Sequence, residues 1–443
     1  MFSNRDLRKL IIPLMIEQIL AVTIGMADTV MVASVGEAAV SGISLVDSIN
    51  ILLINVFSAL ATGGAVVTSQ YLGRRDEKNA RTAGKQLIYT VGALSIVIMI
   101  LCLAAHTPIL RMAFGHIDSD VMNNAQTYFF LSALSYPFIA IYNAGAALFR
   151  SMGNSRVSMF ASLIMNVVNI SGNAILIFQF HMGVAGAGIA SLVSRILACL
   201  FIMILLHRPL LPIHVEELWR FDLKPKMIKN ILQIGVPNGL ENGMFQIGKI
   251  LVQSLIATFG TAAIAANAVA STVANVAILP GAAIGLAMIT VVGQCVGAGD
   301  YDQAQKYTVK LTKLAYLCMA VLNLACLLLT PFLVGFFHLS DEATRSGIQI
   351  LMYHSLCAIF LWTASFTLPN GLRAAGDVKY TMTMSIISMW VFRIAFSYLL
   401  ADFFHMGVLG VWIAMTIDWA FRVIVFVGRF VRGKWKNIKM LQN

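Results

Sequence analysis

At 443 residues, with 59% hydrophobic and only 12% charged side chains and a mean hydropathy of +0.82, the chain is too apolar for a soluble globular enzyme. A net charge of +11 would suit a nucleic-acid binder in a soluble protein, but here the basic residues fall in short connections between apolar blocks, so the excess reports membrane topology and no nucleic acid is expected. The six cysteines lie inside apolar blocks without a CxxC pair, which argues against a zinc site or a disulfide framework.

A bilayer core about 30 Å thick needs roughly 20 apolar residues per helix. Blocks of that kind occupy 10–34, 45–72, 84–106, 124–148, 157–180, 184–206, 228–258, 270–296, 308–337, 346–370, 378–403 and 407–431, which predicts twelve spans. The first block follows Arg5, Arg8 and Lys9 and runs on to Ser34 without a small-residue cleavage site, so it reads as a span and not a leader. Arg74, Arg75, Lys78, Arg81, Lys85, Arg150, Arg156, Lys306, Lys310, Arg373 and a tail cluster from Arg429 to Lys439 fall on one side, against Arg111 and Arg345 on the other. The positive-inside rule then predicts a multi-pass cell-membrane protein with both termini cytoplasmic.

An internal repeat at an offset of 224 residues pairs Pro13 with Pro237, Glu17 with Glu241, Gly36 with Gly260, Gln70 with Gln294 and Asp76 with Asp300. The same offset aligns His-Met-Gly-Val at 181–184 with His-Met-Gly-Val at 405–408. Random apolar sequence would not match Pro, Glu, Gln, Asp and His in one register. The expected architecture is therefore an all-α integral membrane protein of twelve transmembrane helices in two pseudo-symmetric six-helix lobes. Residues 1–207 form the N-lobe, 208–227 a cytoplasmic linker, 228–431 the C-lobe and 432–443 a basic cytoplasmic tail. An even number of spans per lobe makes the repeats parallel, and two such lobes suit alternating access.

Ionisable groups inside spans are costly and need a reason, and those present in one lobe only can build an asymmetric site. Asp28, whose mate is Val252, reads as the cation-coupling carboxylate, taking up and releasing H+ or ligating Na+; the plainer reading is an acid wetted at the outer mouth. Asn166, Asn169 and Asn173 share one helix stripe, either to bond Asp28 and offer carbonyl oxygens to a cation or to pack helices together. A Na+ ion would find oxygens at Asp28, Asn169 and Asn173.

Asn242, Gln246, Lys249 and Gln253 form a second stripe and are expected to line a substrate cavity with Arg393 and Glu241. Arg393, the mate of Asn169, would bind an anionic substrate moiety or a carboxylate, or else lock spans together. Glu17 and Glu241, being duplicated, point to structure or gating, with attraction of a cationic substrate as the alternative. Asp418 and Arg422 are spaced as an intrahelical pair. Prolines inside spans, Pro13 among them, each remove a backbone hydrogen bond and permit a bend.

The segment PLMIEQILAVTIGMADTVMV from Pro13, QYLGRRDEKNA at 70–80 with its twin QCVGAGDYDQA at 294–304, and FRSMGNSR at 149–156 with its twin LRAAGDVK at 372–379 resemble the multidrug and toxic compound extrusion (MATE) family along essentially the whole chain. The resemblance implies an antiporter that expels cationic or amphipathic organic compounds against inward H+ or Na+, with Asp28 at the family's N-lobe aspartate and the first span bending at Pro13. It also exposes departures. The second of two family positions, often aspartate, is Asn173 here, and the span 346–370 holds His354 but no acid.

The function expected is thus secondary antiport by a monomer in the lipid bilayer, acting on small molecules without a cofactor. The alternative is a flippase for a lipid-linked precursor. An enzyme is not expected, since HExxH, GxSxG and Walker motifs are missing.

Overall fold

The computed structural model describes residues 2–115 and 118–438, and all regular elements among them are helical. The basic tail is described to Ile438, and Lys439 onward lies outside the described residues. The first half holds α1 (Asn4–Ala33), α2 (Glu37–Gly73), α3 (Glu77–Ala104), a short α4 (His106–Phe114), α5 (Ser119–Ser151), α6 (Ser155–Gln179) and α7 (Gly183–Leu206). The second holds α8 (Pro225–Ala257), α9 (Thr261–Ala277), α10 (Leu279–Gly297), α11 (Tyr301–Gly335), α12 (Asp341–Ala374), α13 (Val378–Phe403) and α14 (Gly407–Val431).

Eleven of these helices are long and apolar enough to cross a bilayer. The exceptions are α4, α9 and α8, the last of which carries Lys226, Lys229, Glu241 and Lys249 along its 33 residues. The single span expected at 270–296 is instead two helices joined at Ile278. Its repeat mate α2 runs unbroken for 37 residues with Val56 where the second half has Pro280. Proline at the second position of α10 has no N–H to give, and its ring crowds the preceding turn, so the helix restarts there.

The two halves are compact units, Phe2–Gly239 and Leu240 onward. The border falls within α8, whose first turns belong with the N-terminal unit. A Cβ on Gly63 of α2 would stand 2.6 Å from the Ile231 carbonyl.

Duplication extends to the fine backbone. His181 and His405 both adopt φ near +54 (53 and 54), and Gly183 and Gly407 follow at +56 and +57. Non-glycine residues pay roughly 1–2 kcal/mol for that conformation, so its recurrence at mates is a constraint of the fold. In both halves the preceding helix ends in a π-helical turn, Ala174–Gln179 in α6 and Tyr398–Phe403 in α13, an exact 224-residue translation. Asp76 caps α3 through the Asn79 N–H (3.1 Å), and Asp300 caps α11 through the Gln303 N–H (2.9 Å).

The duplicated glutamates are held the same way. Arg150 donates to Glu17 at 3.1 Å, Ser158 adds a bond at 2.7 Å, and Arg373 donates to Glu241 at 2.6 Å. Both carboxylates are buried, so each pair ties the first helix of its half to later ones. Pro13 sits buried within α1, which continues through it.

The linker is strapped to α3. Arg81, Lys85 and Gln86 donate to the carbonyls of Pro212, Glu217 and Asp222 at 3.0, 2.9 and 2.7 Å, and Gln86 accepts from the Lys224 N–H at 3.1 Å.

Close helix approach depends on glycine where α2 meets α5. A Cβ on Gly42 would lie 2.9 Å from the Ala125 nitrogen, whereas one on Gly92 of α3 would meet nothing within 4 Å. Gly42→Ala should therefore cost about 1–3 kcal/mol and Gly92→Ala should be neutral or slightly stabilising. Thermal unfolding of the two variants in detergent checks the contrast.

Candidate functional site

Each half carries its own polar centre, and the two are opposite in charge. In the N-terminal unit the asparagine stripe of α6 is buried, with Asn166, Asn169 and Asn173 at 3%, 2% and 0% exposure. Asn173 Nδ2 donates to Asp28 Oδ1 across to α1 and lies 3.3 Å from Asn169 Oδ1. Asn169 Nδ2 passes the chain on to Ser191 Oγ of α7 at 3.1 Å, and Asn166 Nδ2 bonds back to the Ser162 carbonyl at 2.9 Å. Asp28 is half-buried and turned toward α6. Two amide oxygens, Asn166 Oδ1 and Asn173 Oδ1, are left buried with no donor. Buried oxygen acceptors without donors are the side-chain complement of a hard cation.

Two residues that sequence reasoning missed or left unexplained complete this centre. Asp47 of α2 and Arg195 of α7 both act electrostatically on Asp28. Asp47 accepts from Asn50 (3.2 Å), which in turn accepts from Tyr136 (2.8 Å), while Arg195 donates to Ser135 at 2.6 Å. The signal was available. Like Asp28, both are lobe-specific, since the repeat puts Ser271 opposite Asp47 and Trp419 opposite Arg195.

The C-terminal unit contains a cavity of about 410 Å³ between α8, α9, α12, α13 and α14. Lys249, Gln253 and Arg393 line it, as do His354 and the rings of Phe245, Trp362, Phe366, Trp412 and Trp419; no carboxylate does. Asn242 and Gln246 are not in its wall, and Glu241 is engaged by Arg373. Local backbone irregularity shapes this wall. α12 widens into a π turn at Thr363–Thr367 and α13 at Ser388–Ala395, neither with a π-helical mate in the first half among the described residues. Such turns recur at functional sites because they re-aim side chains. Here they present Phe366, stacked on Trp362 at 5.2 Å, and Arg393.

Behind the wall, Asp418 is fully buried. It pairs with Arg422 at 3.0 Å as the i, i+4 spacing predicts, accepts from Ser388 and lies 3.7 Å from Arg393. Lys249 and Arg393 both face the Phe245 ring at 5.1 Å.

Two repeated all-helical halves, each with a buried polar centre, suit a membrane transporter. The sequence profile of the MatE family matches residues 13–175 and again 237–399, the same 224-residue translation, and the chain belongs to that family. It is 26% identical over 434 residues to the uncharacterized transporter YisQ of Bacillus subtilis, spanning 96% of this chain and 93% of that one. It is also 24% identical over 456 residues to the probable multidrug resistance protein NorM of Thermotoga maritima, spanning 99% and 94%. Among solved structures it is similar to a MOP superfamily transporter from Pyrococcus furiosus, described as having a binding pocket of reverse polarity that suggests a different function (TM-score 0.89, 20% identity, 97% and 95% coverage).

The Asp418 cluster is testable by itself. Asp418→Ala leaves Arg422 and Arg393 without their shared counter-ion and should lower stability by roughly 3–5 kcal/mol, against about 1 kcal/mol for Ser388→Ala. Denaturant unfolding followed by tryptophan fluorescence distinguishes the two.

Proposed function

We propose that this protein is a secondary active antiporter that expels small amphipathic organic compounds in exchange for H+ or Na+, working as a single chain by alternating access of its two lobes. The observation that carries this reading is the Asp28–Asn173–Asn169 chain with its unfilled amide oxygens. A carboxylate held in that setting can take a proton, which removes the cost of its buried charge, or combine with the amide oxygens around Na+. Either event changes the charge of the centre by one and so biases the half that contains it toward one conformation. Relatives named as multidrug resistance proteins support organic solutes as the cargo. The aromatic and basic C-lobe cavity favours the amphipathic alternative over the cationic one. Both termini are assigned to the cytoplasm on the charge of the connecting loops.

In proteoliposomes given separate H+ and Na+ gradients, wild type should move solute under at least one of them and Asp28→Asn under neither, a loss of about 100-fold or more in initial rate. Undiminished gradient-driven transport by Asp28→Asn would remove the coupling role. For the topology, a C-terminal alkaline phosphatase fusion in bacteria should be inactive and a fluorescent-protein fusion bright.

A further inference from the structure

We propose that the C-lobe cavity is a binding site for an aromatic organic anion, a ring system bearing a carboxylate, sulfonate or phosphate. The inference deepens the export reading and rests on it for the transport step, though not for binding.

Charge is the first argument. Lys249 is exposed and lines the cavity, and it makes no hydrogen bond or ion pair among the described residues. Arg393 has a single ion pair, the long one of 3.7 Å to Asp418, and none of its N–H groups donates a hydrogen bond among the described residues. Asp418 already serves Arg422 at 3.0 Å, so three cations stand against one carboxylate. The surplus is on the cavity side. A cationic solute would meet Lys249 and Arg393 with nothing acidic in the wall to offset them, whereas an anion would supply the missing counter-charge.

The second argument is unfilled donor capacity. Trp419 is 3% exposed, lines the cavity, and its indole Nε1–H has no acceptor. His354, also 3% exposed, sits between Trp412 and Trp419 at 5.4 Å from each ring, with Nδ1 unpartnered. Two of the wall's amide oxygens are already taken, Gln253 Oε1 by Asn267 and Asn267 Oδ1 by Trp412, at 3.1 and 3.0 Å. An arginine fork, an ammonium and an indole N–H converge on one space and match an oxyanion, which offers only acceptors.

The third argument is size and surface. About 410 Å³ bounded by five aromatic rings is far more than a bare inorganic anion fills, and the rings give a flat hydrocarbon body something to stack on.

Purified full-length protein in phosphatidylcholine nanodiscs is dialysed to equilibrium against radiolabelled 2-naphthoate or 2-naphthyltrimethylammonium, a cation of similar shape. Wild type should bind the anion about tenfold or more tightly than the cation. Lys249→Gln and Arg393→Gln should each weaken naphthoate about fivefold or more, and Lys249→Arg should retain it. Equal or tighter binding of the cation overturns the proposal, as does unchanged naphthoate affinity in Lys249→Gln. Nanodiscs containing phosphatidylglycerol separate a soluble ligand from a lipid headgroup. Naphthoate binding that survives there supports the proposal, and its abolition assigns the site to lipid and overturns it. The isostere comparison needs no variant to fold. Dialysis imposes no ion gradient, so a failure of coupling at Asp28 would leave this result untouched.

Discussion

A charged side chain within a bilayer-spanning helix must find a partner, water or a solute, because hydrocarbon offers it nothing. This chain meets that demand with an ion pair at corresponding places in each half, and it leaves Lys249 and most of Arg393 open where the halves differ. Glu17 with Arg150 and Glu241 with Arg373 are ion pairs at corresponding places in the two halves, although Glu241 Oε2 and Arg373 Nε keep no hydrogen-bond partner. Asp28, Asp47 and Arg195 in one half, and Lys249, Arg393, Asp418 and Arg422 in the other, have no charged mates, and the unpaired Asn173 Oδ1, Asp418 Oδ2 and Trp419 Nε1 belong to the same two centres.

Duplication therefore separates scaffold from chemistry. The repeated scaffold includes the caps at Asp76 and Asp300, the left-handed histidines at 181 and 405 and the π turns that precede them. The asymmetry enters through a few substitutions within otherwise equivalent helices: arginine for asparagine at the Asn169 position, lysine for glycine at the Gly25 position. One six-helix plan thereby yields a centre poor in donors to its buried oxygens and another poor in acceptors.

Much of this was legible in the sequence, for identifiable reasons. Helix existence and the repeat followed from apolar length and from the matched Pro, Glu, Gly and His positions, which report directly on backbone geometry. The Asn173–Asp28 contact was one of the two readings that a stripe of amides and an acid in the same costly environment left open. What stayed hidden depended on neighbours and on local winding. The 242–253 stripe shares a helix face, yet of its members only Lys249 and Gln253 line the cavity, whose wall α8 shares with α9, α12, α13 and α14. The break at Ile278 needed the effect of Pro280 to outweigh an otherwise continuous apolar run. Asp47 was overlooked although it met the same test as Asp28, a lapse of application and not of signal.

The π turns in α12 and α13 have an evolutionary corollary. A π turn accommodates one residue more than an α turn, and each residue along an α-helix rotates the face by about 100°. Losing a single residue within Ser388–Ala395 would return that turn to α winding and re-aim the side chains within it, Arg393 among them, without replacing any amino acid. Members of the family can thus diverge in the shape of this cavity by one-codon deletions or insertions at these two places. Position-by-position comparison of aligned side chains would overlook that route to new selectivity.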